Sequence, residues 1–209
     1  MKKRITGIIL CLVMILSLLP LSGVTALAVD PYPNYVTVGG VTIWNGDYIK
    51  GGTRYTSEQP GWTAYYKDGV LTLNKHSATT TSQSCIRADN AQELTINLIG
   101  SSSLTTTSTA SEMFGICAWD VDKLTVTSSS NGTLEMFATN GSMSTDSSAH
   151  GIAMKKPGGV SDGEVVIGGN AKLTLNVLVN GSGNNHACGI TTNGHVYLQD
   201  SAALGVKLI

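Results

Sequence analysis

The sequence predicts an all-β protein, specifically a single-stranded parallel β-helix with three short strands in each coil. Three short apolar signatures recur along the chain in a fixed order, which is typical of a repeat fold. Each signature has the in–out alternation of a strand with one buried face. The composition, with 24 glycines and only 13% charged residues, disfavours long helices. Strands this short cannot bury a core as hairpins, whereas stacked coils can.

Residues 1–28 have the features of an export signal. A basic start (2–4) precedes an apolar stretch (5–21), and an A-x-A cleavage site follows at 26–28. A retained membrane anchor is the alternative, but small residues and the cleavage site end the apolar run. The sequence therefore predicts a secreted or cell-surface protein that has no membrane span once the signal is removed.

The remaining residues, 29–209, exclude one class of partner. Loss of the three basic signal residues leaves ten Lys and Arg against 14 Asp and Glu, a formal charge of about −4. Because no basic patch or run exists, nucleic acid is excluded as a partner. Cys85, Cys117 and Cys188 remain, and an odd number is not a disulfide framework. In adjacent coils the first two would be roughly 8 Å apart. That separation is too long for a disulfide, so free thiols are predicted.

Residues 29–66 form the first predicted element after the signal, an N-terminal β cap. Eight of the twelve aromatic residues of the chain lie there. The run YVTVGGVTIW (35–44) predicts two strands joined by a Gly-Gly turn, and WTAYYKDGVLTLN (62–74) predicts a hairpin that leads into the first coil. An open end of a coil stack exposes an unpaired strand edge, which this segment is expected to cover.

Residues 67–209 form the predicted parallel β-helix. A β-sandwich is the alternative, but it would not require the same three signatures to cycle repeatedly. At the other end, AALGVKLI (202–209) begins a strand of the third signature and stops. We therefore expect a truncated β-helix that self-associates through an open C-terminal coil or has frayed final coils. The expected columns are Ile86, Ile116, Ile152 and Ile190; Leu94, Leu124, Val165 and Val196; and Leu71, Leu104, Leu134, Leu173 and Leu204.

The N-terminal pattern also resembles a known group of proteins. The run YVTVGGVTIWNGD…GWTAYYKDGVLTLNKHS…CIRADNAQELTINLIG is similar to exported right-handed parallel β-helix proteins of Gram-positive bacteria that are described as carbohydrate-binding domain-containing proteins. The likeness covers most of 35–209, and its short apolar motifs specify fold better than function. A more distant likeness is to pectate-lyase-type β-helices and to non-catalytic relatives that bind cellulose or pectin with calcium.

The outward positions beside the first signature carry the candidate binding site. A flat face with an aromatic ring and mixed polar groups suits a glycan, because sugar C–H groups stack on indole and hydroxyls bond to planar polar groups. Trp119, flanked by Arg87, Asp89 and Asp120, is the best candidate. The alternative is an exposed Trp that covers a corner. The two outward columns are Arg87, Cys117, Ala153 and Thr191, and Asp89, Trp119, Lys155 and Asn193.

Asp89, Asp120 and Asp122 are expected in equivalent corners of adjacent coils, about one ~4.8 Å ladder step apart. Carboxylates at that spacing, together with backbone carbonyls, suit Ca²⁺. They could equally be corner residues selected for turn chemistry.

The function predicted from these observations is a non-catalytic module that binds a polysaccharide or cell-wall glycan. The second hypothesis is a structural stalk or adhesin segment of a larger surface protein. The third is a calcium-dependent polysaccharide lyase or hydrolase, for which Arg87 beside Asp89 is the only suggestive arrangement. Acidic and basic side chains alternate in another column, which consists of Glu93, Lys123, Glu164 and His195. The simpler explanation of this column is that opposite charges on neighbouring strands stabilise each other.

Overall fold

The computed structural model describes residues 31–142, 146–180 and 185–209. These residues form eighteen β-strands and no helix, which confirms the predicted all-β class. It follows that no helix in this part of the chain could cross a membrane. The export signal predicted at 1–28 lies outside the described residues. The strands are β1 Tyr35–Val38, β2 Val41–Trp44, β3 Tyr48–Lys50, β4 Thr53–Tyr55, β5 Ala64–Lys67, β6 Val70–Asn74, β7 Ser77–Thr80, β8 Ser84–Ile99, β9 Ser101–Ser108, β10 Glu112–Thr127, β11 Thr133–Asn140, β12 Ser148–Lys156, β13 Gly159–Val160, β14 Glu164–Ile167, β15 Lys172–Val179, β16 His186–Thr191, β17 Val196–Leu198 and β18 Ala203–Leu208.

The strands belong to two sheets whose central pairs are parallel. The larger sheet has thirteen strands and contains the parallel series β8–β10–β12–β16 and β10–β14–β17. The smaller sheet has five strands in the order β18-β15-β11-β9-β7, and all of its pairs are parallel. The first and second signatures lie in the larger sheet, and in β8 and β10 a single long strand carries both. The third signature lies in the smaller sheet.

The register of the first two ladders matches the predicted columns. Ile116 pairs with Ile86 and with Ile152, and Ile152 pairs with Ile190. The same is true of the column that begins at Leu94 and ends at Val196. Both columns point into the core. Their final members are less buried than the others, and Val196 is 46% exposed. The apolar periodicity therefore located these strands correctly.

Part of the third column was predicted wrongly. Leu134, Leu173 and Leu204 stack as expected. Leu104, however, pairs with Met136 two residues further along, and Ser102 stands opposite Leu134. Ser102 fills this inward position because its buried hydroxyl accepts a 3.0 Å hydrogen bond from the backbone N–H of His76.

Leu71 was also assigned to the wrong ladder. It pairs with Ile96 in the larger sheet, so its strand extends the ladder of the second signature. The strand that continues the third ladder is β7, where Ala78 pairs with Leu104. The letters VLTLN in β6 match the third signature, but β6 is tied to β5 by a hairpin and lies with it in the larger sheet.

Glycine in the first signature has a steric cause. A Cβ added at Gly115 would lie 2.4 Å from the carbonyl oxygen of Gly151, and one added at Gly151 would lie 2.5 Å from the carbonyl oxygen of Gly189. Real Cβ atoms do not approach backbone oxygens so closely. Glycine therefore precedes Ile116 and Ile152 because the backbone of the next strand lies too close for a side chain there.

The N-terminal segment joins the same core. β1 and β2 form the predicted hairpin, with positive φ at Gly39 (56°) and Gly40 (84°), and β5 and β6 form the second one. β1 also pairs antiparallel with the first half of β8. Val36, Ile43 and Tyr66 are buried in one cluster with Ile86. The division at residue 66 stays a prediction.

Candidate functional site

Trp119 lies on the outer surface of the larger sheet, at the end of the first half of β10. Ala118 before it is fully buried, and the alternation of the strand turns the indole outward, where it is half-buried. Asp89 pairs with Trp119 on one side and Lys155 pairs with it on the other. The predicted neighbourhood of the indole is therefore correct for these two residues.

Arg87 and Asp89 form a fixed pair beside this indole. The guanidinium Nε donates to both carboxylate oxygens of Asp89 at 3.0 Å, and Nη2 lies 2.8 Å from Oδ1. The Cζ atom of Arg87 is 5.7 Å from the centroid of the Trp119 ring, within cation–π range. The hydrogen bond with Asp89 raises the pKa of Arg87, against an opposing effect of burial.

Lys155 crosses the outer surface and ion-pairs with Glu112. Its Nζ is 3.2 Å from Glu112 Oε1, and its side chain is only 14% exposed. The same Nζ lies 5.9 Å from the ring of Phe114. Beneath it, Phe114, Cys117 and Ala153 form a small buried cluster, against which Trp119 packs.

This cluster corrects the expectation of a flat, open face. The predicted register is right, because Cys117 pairs with Arg87 and with Ala153. Cys117 and Ala153 are nevertheless 1% and 0% exposed. They are covered because Phe114 and Trp119 pack against these two small side chains. The accessible part of the site is thus Arg87 together with the row of Trp119.

Asn193 does not reach this site. Its backbone N–H donates to the Ser161 carbonyl at 2.9 Å, and its side-chain Nδ2 donates to the Val160 carbonyl at 3.2 Å. Lys155, the predicted neighbour of Asn193, pairs with Val160 in a β12–β13 hairpin. The hairpin inserts an extra strand at this corner, so the predicted pairing of Asn193 with Lys155 is wrong.

The three aspartates do not occupy equivalent corners. Asp89 is level with Trp119, which places Asp120 one residue further on, level with Asn90. Asn90 and Asp120 both have φ of 55°, a left-handed conformation that Asn and Asp adopt more readily than most residues. Asp122 is exposed beyond the corner. Turn chemistry therefore accounts for Asp120. Among the described residues no group of three or more His, Cys, Asp and Glu side chains could hold a metal ion.

Cys85, Cys117 and Cys188 are free thiols, as predicted. Burial raises the pKa of Cys85 to about 12 and that of Cys117 to about 11. Both thiols therefore stay protonated at neutral pH and are poor nucleophiles. Burial also lowers the pKa of His150, whose ring nitrogens contact Thr191 Oγ1 at 2.7 Å and Ser148 Oγ at 3.2 Å.

Sequence reasoning missed Tyr35, which it assigned to the cap. Because β1 pairs with β8, Tyr35 comes close to Arg87 and adds slightly to the increase in its pKa. Tyr35 is 39% exposed and lies 6.2 Å, centroid to centroid, from Trp44. The alternation of YVTV shows that Tyr35 points outward, but nothing local in the sequence reveals the strand beside it.

Comparison of the chain with protein-family models, with curated proteins and with solved structures finds no match.

Proposed function

We propose that this protein is an extracellular or cell-surface, non-catalytic module that binds a polysaccharide or cell-wall glycan. The observation that carries the proposal is the guanidinium of Arg87, 5.7 Å from the Trp119 ring centroid and hydrogen-bonded to Asp89 at 3.0 Å. Indole offers an apolar face to sugar C–H groups, and guanidinium and carboxylate are planar partners for hydroxyls.

The fixed geometry of the Arg87–Asp89 pair favours binding. Asp89 holds Arg87 in place before any ligand arrives, so little side-chain freedom is lost on association. Arg87 remains 40% exposed and can still donate to a ligand, while Asp89 is 13% exposed. A carboxylate already engaged by arginine is better suited to accept hydrogen bonds than to deliver a proton to a leaving group.

We further propose that the two sheets wind as a parallel β-helix, with the site on the side of the first signature. The in-register ladders and the parallel pairs in both sheets support this architecture. The same proposal includes a resemblance in sequence. The chain resembles exported β-helix proteins of Gram-positive bacteria that are described as carbohydrate-binding domain-containing proteins.

A glycan array followed by calorimetry tests the binding. The protein should retain at least one soluble polysaccharide or cell-wall glycan, and Trp119→Ala should lower its affinity about tenfold, equivalent to about 1.4 kcal/mol. Tyr197→Ala is the matched control, since Tyr197 is a 39% exposed aromatic residue at another position. An array without retained glycans, or equal affinities for Trp119→Ala and wild type, would refute the proposal.

A structural or adhesive segment of a larger surface protein is the second candidate. It is favoured by the exposed apolar side chains in and next to the last two strands: Leu198 is 57%, Leu208 51% and Ile209 59% exposed. Unpaired strand edges with such side chains recruit other chains. Light scattering should then detect self-association that Leu198→Lys and Leu208→Lys reduce. A monomer at all concentrations would argue against this candidate.

A further inference from the structure

We propose that the glycan site continues from Trp119 to Trp44 along one row of outward side chains, and that this row binds a linear, uncharged, β-linked polysaccharide. The inference rests on the glycan binding proposed above. It adds the extent of the site and the class of glycan. The row consists of Trp44, Tyr35, Asp89 and Trp119.

Strand pairing brings the N-terminal half of the row next to β8. Trp44 pairs with Tyr35 in the β1–β2 hairpin. In the β1–β8 ladder Val36 pairs with Ala88, and both are buried. Continuing this antiparallel register by one residue sets Tyr35 beside Asp89, on the opposite, outer side of the sheet. Paired residues point to the same face of a sheet, so Trp44, Tyr35 and Asp89 share one line.

The same line continues through the parallel part of the sheet. Asp89 pairs with Trp119, and Trp119 pairs with Lys155. Since neighbouring strands are about 4.8 Å apart, the distance from Trp44 to Trp119 along the row is roughly 14 Å. Tyr35 and Trp44 are 39% and 43% exposed. Two indoles at that separation can contact different sugar units of one extended chain.

The Trp44 end repeats the chemistry of the Trp119 end. The Cζ atom of Arg54 lies 4.1 Å from the Trp44 ring centroid. Asp47 accepts hydrogen bonds from Arg54 Nε at 2.5 Å and from the backbone N–H of Trp44 at 2.8 Å. Arg54 is 40% exposed, the same fraction as Arg87 at the other end. Each indole thus has an arginine beside it, held by a buried or half-buried aspartate.

The balance of charge along the row indicates an uncharged ligand. Each cation is neutralised by its own carboxylate: Arg54 by Asp47, Arg87 by Asp89, and Lys155 by Glu112. A polyuronate would meet these carboxylates as well as the cations and would gain no net attraction. Uncharged pyranoses offer C–H faces to the indoles and hydroxyls to the arginine–aspartate pairs. A β-linked chain is extended, so its successive units can reach both ends of the row.

Calorimetry with uncharged β-linked gluco-oligosaccharides of two to eight units tests the row, with polygalacturonate as the charged probe. Affinity should rise with chain length, because one chain then engages both ends. For the longest oligosaccharide Trp44→Ala and Trp119→Ala should each lower the affinity about tenfold, equivalent to about 1.4 kcal/mol. Tyr35→Ala is a second variant at an exposed position, should Trp44→Ala not fold. Trp62→Ala is the control, because Trp62 packs on Tyr48 and Tyr65 outside the row.

The outcomes separate this inference from the proposed function. If Trp119→Ala weakens binding while Trp44→Ala and Tyr35→Ala do not, the glycan site stands and the row is refuted. Retention of polygalacturonate alone would overturn the uncharged class of ligand. If the wild type binds neither probe, the row is refuted, and the proposed function is decided separately by the glycan array. Equal losses at Trp44 and Trp119, with none at Trp62, support the row.

Discussion

Gly151→Ala should destabilise the protein through a single methyl group. That Cβ would lie 2.5 Å from the carbonyl oxygen of Gly189 and 2.8 Å from Leu175 Cδ1. Because one of these neighbours is backbone of the next strand, it cannot rotate away. Overpacking of this kind costs about 1–3 kcal/mol. For a chain of this size each kcal/mol lowers Tm by about 2–4 °C.

Thermal unfolding followed by circular dichroism measures this effect, with Gly168→Ala as the control. A Cβ at Gly168 meets no heavy atom closer than 3.8 Å. That substitution should leave Tm unchanged or raise it slightly, because alanine reduces the freedom of the unfolded chain. Gly115→Ala should behave like Gly151→Ala, since its Cβ would lie 2.4 Å from the Gly151 oxygen. Equal Tm values for Gly151→Ala and Gly168→Ala would show that β12 and β16 do not have this register.

Two further predictions concern the core and its titrating groups. Ile152→Asp should unfold the protein, because the side chain is 0% exposed and an isolated buried carboxylate costs several kcal/mol. Thr107→Asp, at an exposed position of β9, should leave the protein folded. Burial lowers the pKa of His76 and of His150 below the ordinary 6.5, so the unfolded chain binds more protons than the native protein as the pH falls below 6.5, and stability should decline there. Tm measured between pH 7.5 and 5 should fall less steeply in His76→Gln than in the wild type. His195→Gln, at an exposed position, should follow the wild type. Identical slopes of Tm against pH in all three proteins would contradict this reasoning.

The inward side of the strands could be predicted from the sequence. Burial selects apolar residues at every second position, and parallel stacking repeats them, so the columns of Ile116 and Leu124 are visible in the letters alone. Leu71 shows the limit of this method. Its strand has the same letters as a third-signature strand, and only its hairpin with β5 decides which sheet it joins. Such a choice depends on contacts between segments, which a signature does not contain.

The outward side was harder to predict because its contacts cross several strands. Lys155 reaches Glu112 past the ring of Phe114, which clusters with the small side chains of Cys117 and Ala153. Neither the ion pair nor the burial of Cys117 and Ala153 can be predicted from the alternation of inward and outward residues along a strand. The β12–β13 hairpin, with Pro157 and Gly158 at its turn, likewise moves Asn193 away from Lys155. An insertion is visible in the sequence, but its path across the surface is not.

The placement of Tyr35 follows the same logic and bears on the proposed function. Tyr35 reaches the Arg87 side of the sheet because β1 adds antiparallel to a strand that begins nearly fifty residues later in the chain. The N-terminal segment and the candidate site are therefore parts of one sheet surface. β1 can both cover the edge of β8 and lengthen the proposed binding row. Its inward residues serve the first role, and its outward residues serve the second. Substitutions at Val36 should then affect stability and those at Tyr35 affinity, a separation that would be lost if the segment served only as a cap.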